Sequence, residues 1–305
     1  MPCYNRQDYI GESIESVLTQ SFSDFELVII DNCSTDNTVE IVRQYAEKDK
    51  RIKLYVNERN IGICSSMNRC ILNSCGEYIK FLFSDDLLAP KCIETFVDVM
   101  DKNPGVSLVT SFTRAVGQNN TVRDEKFFPQ TGLFESRKAQ KSLFFDGNWP
   151  GSPSNTMLRR RDLHIGLFNH MWKYWLGDLD MWMRLLGAGD AYIVPEILNF
   201  PRIHDNSESA IHGVDFRLIT ERITLADTAF RFPHVYGEYT GKEKRNIQNH
   251  LLERLVREGY GKKGLRAKIS MLKIGLFNNR RNRFVFLLLL LKNLGRLFRK
   301  SRWSD

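Results

Sequence analysis

The chain has 305 residues, 42% hydrophobic and 26% charged, the profile of a globular protein long enough to bury a substantial core. Its formal charge of +8 is uneven: residues 257–305 hold 14 of the 44 basic residues and 2 of the 36 acids, leaving 30 against 34 in the remainder. The body is therefore weakly acidic, and a nucleic-acid partner is not expected of it. Six cysteines fall within the first 92 residues without a Cys-x-x-Cys pair, and no histidine precedes His164, which argues against a zinc site. No secretory signal is visible, so free thiols and a cytoplasmic location are expected. The longest uninterrupted apolar run, Phe284–Leu291, is eight residues, against roughly 20 for a membrane span.

In chain order, Ile10, Ile14, Val17 and Leu18 share one helical face, and "FELVII" (25–30) is a short strand. "NCSTDNTVEIV" offers cap residues and then a helix to about Tyr45. "IKLYV" (52–56) is a strand, 63–73 a helix with Met67, Cys70 and Ile71 on one side, and "YIKFLF" (78–83) a third strand. Pro90 opens the next helix, and "VSLVTSF" (106–112) is a fourth strand. Residues 113–135 read as polar loop. A helix at 138–145, a strand at 155–160, a helix from Asp178 to Leu186 and a strand at 191–195 follow. From Val214 only helical patterns occur, which places a boundary near residue 210: a domain at 1–210 and a helical, basic region at 211–305. Strands alternating with helices predict an α/β, doubly wound, mostly parallel sheet, with ligands beyond the carboxyl ends of its strands.

At such an end stand Asp85 and Asp86. Adjacent carboxylates there suit a hard divalent cation, which takes oxygen ligands and bridges to phosphates. The plainer reading is a helix N-cap, which accounts for one aspartate and not for two.

"PCYNRQDYIGESIESVLTQSFSDFELVIIDNCSTDNT" and "NERNIGICSSMNRCILNSCGEYIKFLFSDD" resemble the N-terminal half of the inverting glycosyltransferases of family 2, which have the GT-A fold. The resemblance covers residues 2–100, and more loosely 150–210. It implies a nucleoside diphosphate sugar donor, UDP-type favoured, a saccharide or lipid-linked acceptor, a role in cell-surface polysaccharide synthesis, and Mn²⁺ or Mg²⁺ as cofactor. It places Pro2, Tyr4 and Asn5 against the nucleotide base, Asp31 on the pyrimidine, Asn60 and Gly62 in a turn near the nucleotide, and Asp85 near the ribose. Asp86 becomes the metal ligand, with His204 of "PRIHDNSES" reaching the metal or diphosphate. Asn32 stands where a second acid is frequent in the family. Ser34 and Asp36 read as loop and cap residues.

In "WLGDLDMWMRLLGAGD" Asp178 falls at the family's catalytic base, with Gly177 replacing a frequent Glu. Asp180 is the alternative; the two lie i and i+2 on a helix and cannot share a face. Trp175 and Trp182 are candidates for an acceptor platform or core. Arg184 and Arg159–Arg161 are candidates for anion contacts or packing. Residues 257–303 mix basic and apolar side chains in a composition suited to an anionic membrane surface, or to a hairpin packed on the catalytic domain. The fold's first apolar strand is expected to be missing, since Met1 directly precedes "PCYN"; the intact later motifs favour a start further upstream. A nucleotidyltransferase, which lacks its Gly-rich phosphate loop here, and a non-catalytic membrane-associated scaffold remain as alternatives.

Overall fold

The five residues of β2 (Leu27–Asp31) are all buried, as a continuous apolar run requires when both faces of a sheet are covered. In the computed structural model, which describes residues 1–117, 121–170, 172, 176–204 and 216–261, β2 is the middle strand of a three-stranded parallel sheet. Its neighbours are β1 (Pro2–Cys3) and β3 (Ile52–Val56). The first strand is reduced to two residues, Pro2 and Cys3, which pair with Ile30 and Asp31. Around this sheet lie α1 (Ile10–Leu18), α2 (Thr38–Lys48) and α3 (Ile63–Leu72). Helix α1 buries Ile10, Ser13, Ile14 and Val17, one face at helical spacing. Each of its aliphatic side chains removed from water contributes roughly 1.5–3 kcal/mol.

A second sheet is mixed. Its order is β4 (Tyr78–Lys80), β9 (Thr156–Arg159), β6 (Val106–Val116), β10 (Asp190–Phe200) and β5 (Leu87–Leu88). Only β6 and β10 run parallel; β4–β9, β9–β6 and β10–β5 are antiparallel. Strand β4 ends at Lys80, three residues earlier than the apolar run suggests, because Phe83 N–H turns to the Ser154 hydroxyl at 2.8 Å. Helix α4 (Cys92–Lys102) starts two residues after Pro90. Residues 113–135 are not a loop: β7 (Val122–Lys126) pairs with β6, and β8 (Gly132–Phe134) with β10. Val122–Glu125 are exposed, and an Arg114–Glu125 ion pair at 2.6 Å crosses the hairpin. This strand is built on polar cross-strand pairs, which leave no apolar alternation to read.

One core joins the layers, with Ile14, Val17, Ile29, Val42, Phe96, Met100, Val109, Met157 and Leu198 among its buried members. Helix α6 (Leu176–Ala188) is apolar nearly all round, with Leu179, Met181, Trp182, Met183, Leu185 and Leu186 buried. A helix of that kind belongs inside the protein.

The described residues fall into two units. The first runs to residue 211 apart from 144–147 and 174–176; the second holds those described beyond, together with Phe144–Gly147 and Leu176. The second contains α7 (Phe216–Arg231), α8 (Pro233–Tyr236) and α9 (Gly241–Gly261), after α5 (Ser136–Phe145). Phe144, Phe230 and Tyr239 form its aromatic cluster, with centroids 5.3–6.4 Å apart. Helix α9 opens with a capping box: Glu243 accepts from Thr240 N–H at 2.8 Å, and Thr240 Oγ1 accepts from Glu243 N–H at 3.3 Å. No described helix is long and apolar enough to cross a membrane. Trp175, Asp205, Ser207 and almost all of the basic tail lie outside the described residues.

Candidate active site

Asp31 closes β2 and is fully buried. Its carboxylate accepts from Ser34 N–H at 2.8 Å, the Ser34 hydroxyl at 2.5 Å and the Cys3 thiol at 3.6 Å. The chain leaves β1 through Tyr4, 42% exposed, and Asn5, which sits at φ 50°. Asn5 N–H donates to Ser34 Oγ at 2.9 Å, and Asn5 Oδ1 accepts from Thr35 N–H at 2.8 Å. The loops after β1 and β2 are thus sewn together beside Asp31. Pro2 is buried within β1. Asp36 accepts from Thr38 N–H and Gln7 N–H, as a loop and cap residue does.

Asn60 and Gly62 make the turn into α3. Asn60 Oδ1 accepts from Asn32 Nδ2 at 2.8 Å and Gly62 N–H at 3.0 Å. Gly62 has φ 83°, a region an L side chain enters only at a cost, although its Cβ position faces open space. Asn32 completes a chain of amides. Its Oδ1 accepts from Asn57 Nδ2 at 2.9 Å and Ile61 N–H at 2.9 Å, and Asn57 Oδ1 in turn accepts from Arg69.

Asp85 and Asp86 are both buried in the turn between β4 and β5. Asp85 Oδ2 faces Arg6 Nε at 3.1 Å and His204 Nε2 at 3.1 Å. Burial opposes its charge, yet His204 and Arg6 hold it below the usual carboxylate range. Asp86 Oδ1 accepts from Arg202 N–H at 2.9 Å. Burial first, and the Asp85 charge second, push the Asp86 carboxyl up to about 7. Behind it, Lys80 Nζ donates to Asn199 Oδ1 at 2.9 Å and to main-chain carbonyls; burial brings this amine down to about 8. His204 stacks on Tyr9 with centroids 4.5 Å apart, and the Arg202 guanidinium lies 5.2 Å from the same ring.

Arg6, Tyr9, Lys80 and Arg202 are members of this site that the sequence reading missed. Lys80 carried a signal: a lone cation inside the apolar "YIKFLF" demands a buried partner.

Among the described residues no three His, Cys, Asp or Glu side chains enclose a cation site. The donor set nevertheless fits a divalent cation. Two adjacent buried carboxylates repel each other, burial and the Asp85 charge push the Asp86 carboxyl up, and His204 Nδ1 is buried without a partner among the described residues.

Asp178 stands in the first turn of α6, half-buried, and its Oδ2 accepts from Asn148 Nδ2 at 2.8 Å. Asp180 is fully buried and takes two bonds from Arg184, at 2.8 and 3.1 Å. Arg184 also donates to the carbonyls of Ile165, Gly166 and Leu167. Its guanidinium is therefore committed to Asp180 and the 165–167 loop. Trp182 is 0% exposed, with its indole N–H on Gly151 O at 3.1 Å, so it is core and not a platform. Arg159, Arg160 and Arg161 each donate to main-chain carbonyls, including Val106 O, Gly76 O and Pro104 O, which assigns them to packing.

A parallel sheet with an acid closing β2, followed by a buried acid pair at the edge of a mixed sheet, is the architecture of a GT-A-fold glycosyltransferase. Staphylococcus aureus TarS 1–349, solved with UDP-GlcNAc, superposes with a TM-score of 0.70 at 17% identity, covering 100% of this chain and 91% of that one. A mannosyltransferase of Pyrobaculum calidifontis, solved with GDP-Man and Mn²⁺, gives 0.55 at 14% identity, over 96% and 85%. The glycosyl transferase family 2 model matches residues 1–166, and the chain belongs to that family. An uncharacterized glycosyltransferase of Methanocaldococcus jannaschii is 35% identical over 220 residues, 69% of this chain and 72% of that protein. TuaG of Bacillus subtilis, provisionally named a teichuronic acid biosynthesis glycosyltransferase, is 31% identical over 68% and 79%. With a Haemophilus influenzae glycosyltransferase included, the matched segments span 66–79% of these relatives' lengths.

Proposed function

We propose that the chain transfers a sugar from a nucleoside diphosphate sugar, UDP-type favoured, to a hydroxyl of a saccharide or lipid-linked acceptor with inversion, in cell-surface polysaccharide synthesis. The observation that carries this reading is the buried Asp85–Asp86 pair, engaged from both sides by Arg6, His204 and the Arg202 amide, with Asp31 at the end of β2. In this reading Asp31 accepts a hydrogen bond from the base, Tyr4 supplies a stacking face, and Asp85 lies on the ribose side. Asn5, Asn60 and Gly62 shape the loops that meet the nucleotide, and Pro2 belongs to the strand that leads into the first of them. Asp86, with His204, would hold Mn²⁺ or Mg²⁺, which when bound neutralises charge on the departing diphosphate.

Asp178 is the base. It removes the acceptor hydroxyl proton as that oxygen bonds to the anomeric carbon, while the bond to the diphosphate breaks on the opposite face and its electron pair leaves with the nucleotide. The Arg184 ion pair supports this choice, because it neutralises Asp180 and turns it into the core. A cytoplasmic site of action and a peripheral anionic membrane surface for 257–303 complete the proposal; six free cysteines suit a reducing compartment.

Isothermal titration with UDP, with and without MnCl₂, tests the metal assignment. Wild type is expected to bind in a metal-dependent way and Asp86→Ala to lose that dependence. Equal, metal-independent binding by both removes Asp86 from the metal role. Asp178→Asn is expected to keep donor binding and lose transfer, read as UDP release across a panel of nucleotide sugars.

A further inference from the structure

Asp178 does not stand alone at the head of α6. Asn148, in the segment after α5, donates Nδ2–H to Asp178 Oδ2 at 2.8 Å, and the same nitrogen reaches Gly151 O at 3.2 Å. The other carboxylate oxygen, Oδ1, accepts from Leu179 N–H at 2.7 Å. Asn148 Oδ1 is buried without a partner among the described residues, so its amide is spent on the carboxylate and on the turn. The main chain of Asn148 is held in turn. Lys126 Nζ, at the end of β7, donates to Asn148 O at 3.2 Å and Trp149 O at 2.9 Å. Trp182 Nε1 fixes Gly151 O from the core side.

Chemistry explains why an amide stands at 148. An ionised carboxylate accepts hydrogen bonds only; the carboxamide nitrogen supplies a donor without adding charge. A carboxylate there would repel Asp178, and an aliphatic side chain would leave its Oδ2 without this bond. Among the described residues, the titratable groups near Asp178 come from three elements. Lys126 on β7 is a half-buried amine, pushed down by burial and pulled back up by the Asp178 charge. Cys64 on α3 packs against Gly177, where a Cβ would stand 3.1 Å from its Sγ; burial first, then Asp178 and Asp180, push this thiol up, which keeps it neutral. Asp180, on the same helix, is balanced by Arg184.

We propose that Asn148 is a positioning residue for Asp178: braced by Lys126, it fixes the orientation of the carboxylate and stabilises its ionised form. The inference rests on Asp178 as the base. A base that begins the reaction already ionised and aimed spends no binding energy on either. Asn148 touches no substrate in this scheme and acts through Asp178.

The test reads Asp178 directly. The full chain is labelled with ¹³C at the aspartate carboxyl carbons and titrated by NMR; the resonance missing from Asp178→Asn is that of Asp178. Asn148→Ala is expected to raise the Asp178 midpoint by roughly one pH unit, about tenfold in proton affinity, since a hydrogen bond to the charged form is lost. Lys126→Met is expected to raise it as well, and Asn148→Gln, which keeps the donor, to raise it less than alanine does. A wild-type midpoint in both Asn148→Ala and Lys126→Met, with melting temperatures unchanged, overturns the proposal. If Asn148→Ala does not fold, Asn148→Ser, which is too short to keep the bond, decides: a raised midpoint supports the cradle and an unchanged one overturns it. UDP release by Asp178→Asn is measured separately. Retained release defeats the base assignment and leaves the titration result standing, so the two failures are distinguishable.

Discussion

Asp178 and Asp180 show how far residue type is from role. They are the same amino acid, two positions apart, on one helix. Asp180 is buried and paired with Arg184, so removing it strands a guanidinium in the core. Breaking one side of a buried pair costs about 3–5 kcal/mol. Asp180→Ala is therefore expected to lower the thermal midpoint by many degrees, while Asp178→Asn keeps a hydrogen-bonding side chain in a half-buried place and leaves the midpoint close to wild type. Differential scanning calorimetry separates the two; equal destabilisation would remove the structural role given to Asp180. The spacing in sequence established only that the two face different ways. Which way each faces follows from α6 being buried nearly all round, and from a loop at 165–167 whose carbonyls need Arg184.

At the scale of elements, the parallel sheet is tied at its edge by Glu26, just before β2. It accepts from Lys53 of β3 at 2.6 Å and from the Cys75 and Gly76 amides of the segment before β4. Burial opposes the charge, but hydrogen bonds from Cys75 and the Lys53 ammonium outweigh it and hold the carboxyl at about 2, against 4.5 ordinarily. A carboxyl lowered in the folded state stabilises above its unfolded value, and that contribution fades as pH falls toward the folded one. The gap in urea midpoint between wild type and Glu26→Gln is thus expected to be full at pH 6 and to shrink as pH drops from 4.5 toward 2. A gap that widens on acidification would contradict the assignment. Elements with apolar periodicity, such as α1, β2 and β3, were legible in the sequence, since burial of one or both faces writes itself into residue order. Strand β7 was not, because its residues are polar and exposed and its partner is β6 across a hairpin. The short β1 was not, because two residues are too few for any period.

For the whole molecule, the sequence gives the acids of the donor side in order, but not the cations around them. The Arg6 guanidinium, the Lys80 amine and the main-chain amide of Arg202 approach Asp85 and Asp86 from three separate segments, and such convergence exists only once the sheets have formed. The basic, apolar stretch 257–303 carries a different expectation. Full-length protein should co-sediment with phosphatidylglycerol vesicles at low salt, release as salt screens the attraction, and bind less as Arg280→Glu, Arg281→Glu and Arg283→Glu combined. Binding unaffected by salt and by charge reversal would count against a membrane-facing tail.

The amides at Asn57, Asn32 and Asn60 form a line with a sense of direction. Arg69 can only donate, so it fixes Asn57 with oxygen toward itself and nitrogen toward Asn32; the link from Asn32 to Asn60 inherits that polarity and ends at Asn60 Oδ1, which also accepts from Gly62 N–H. A carboxylate at 32 has no hydrogen to pass on. It would oblige Asn60 to turn round and abandon Gly62 N–H. Amide and acid at this position are therefore alternative wirings of the same turn, and Asn32→Asp is expected to reverse the Asn60 amide in place.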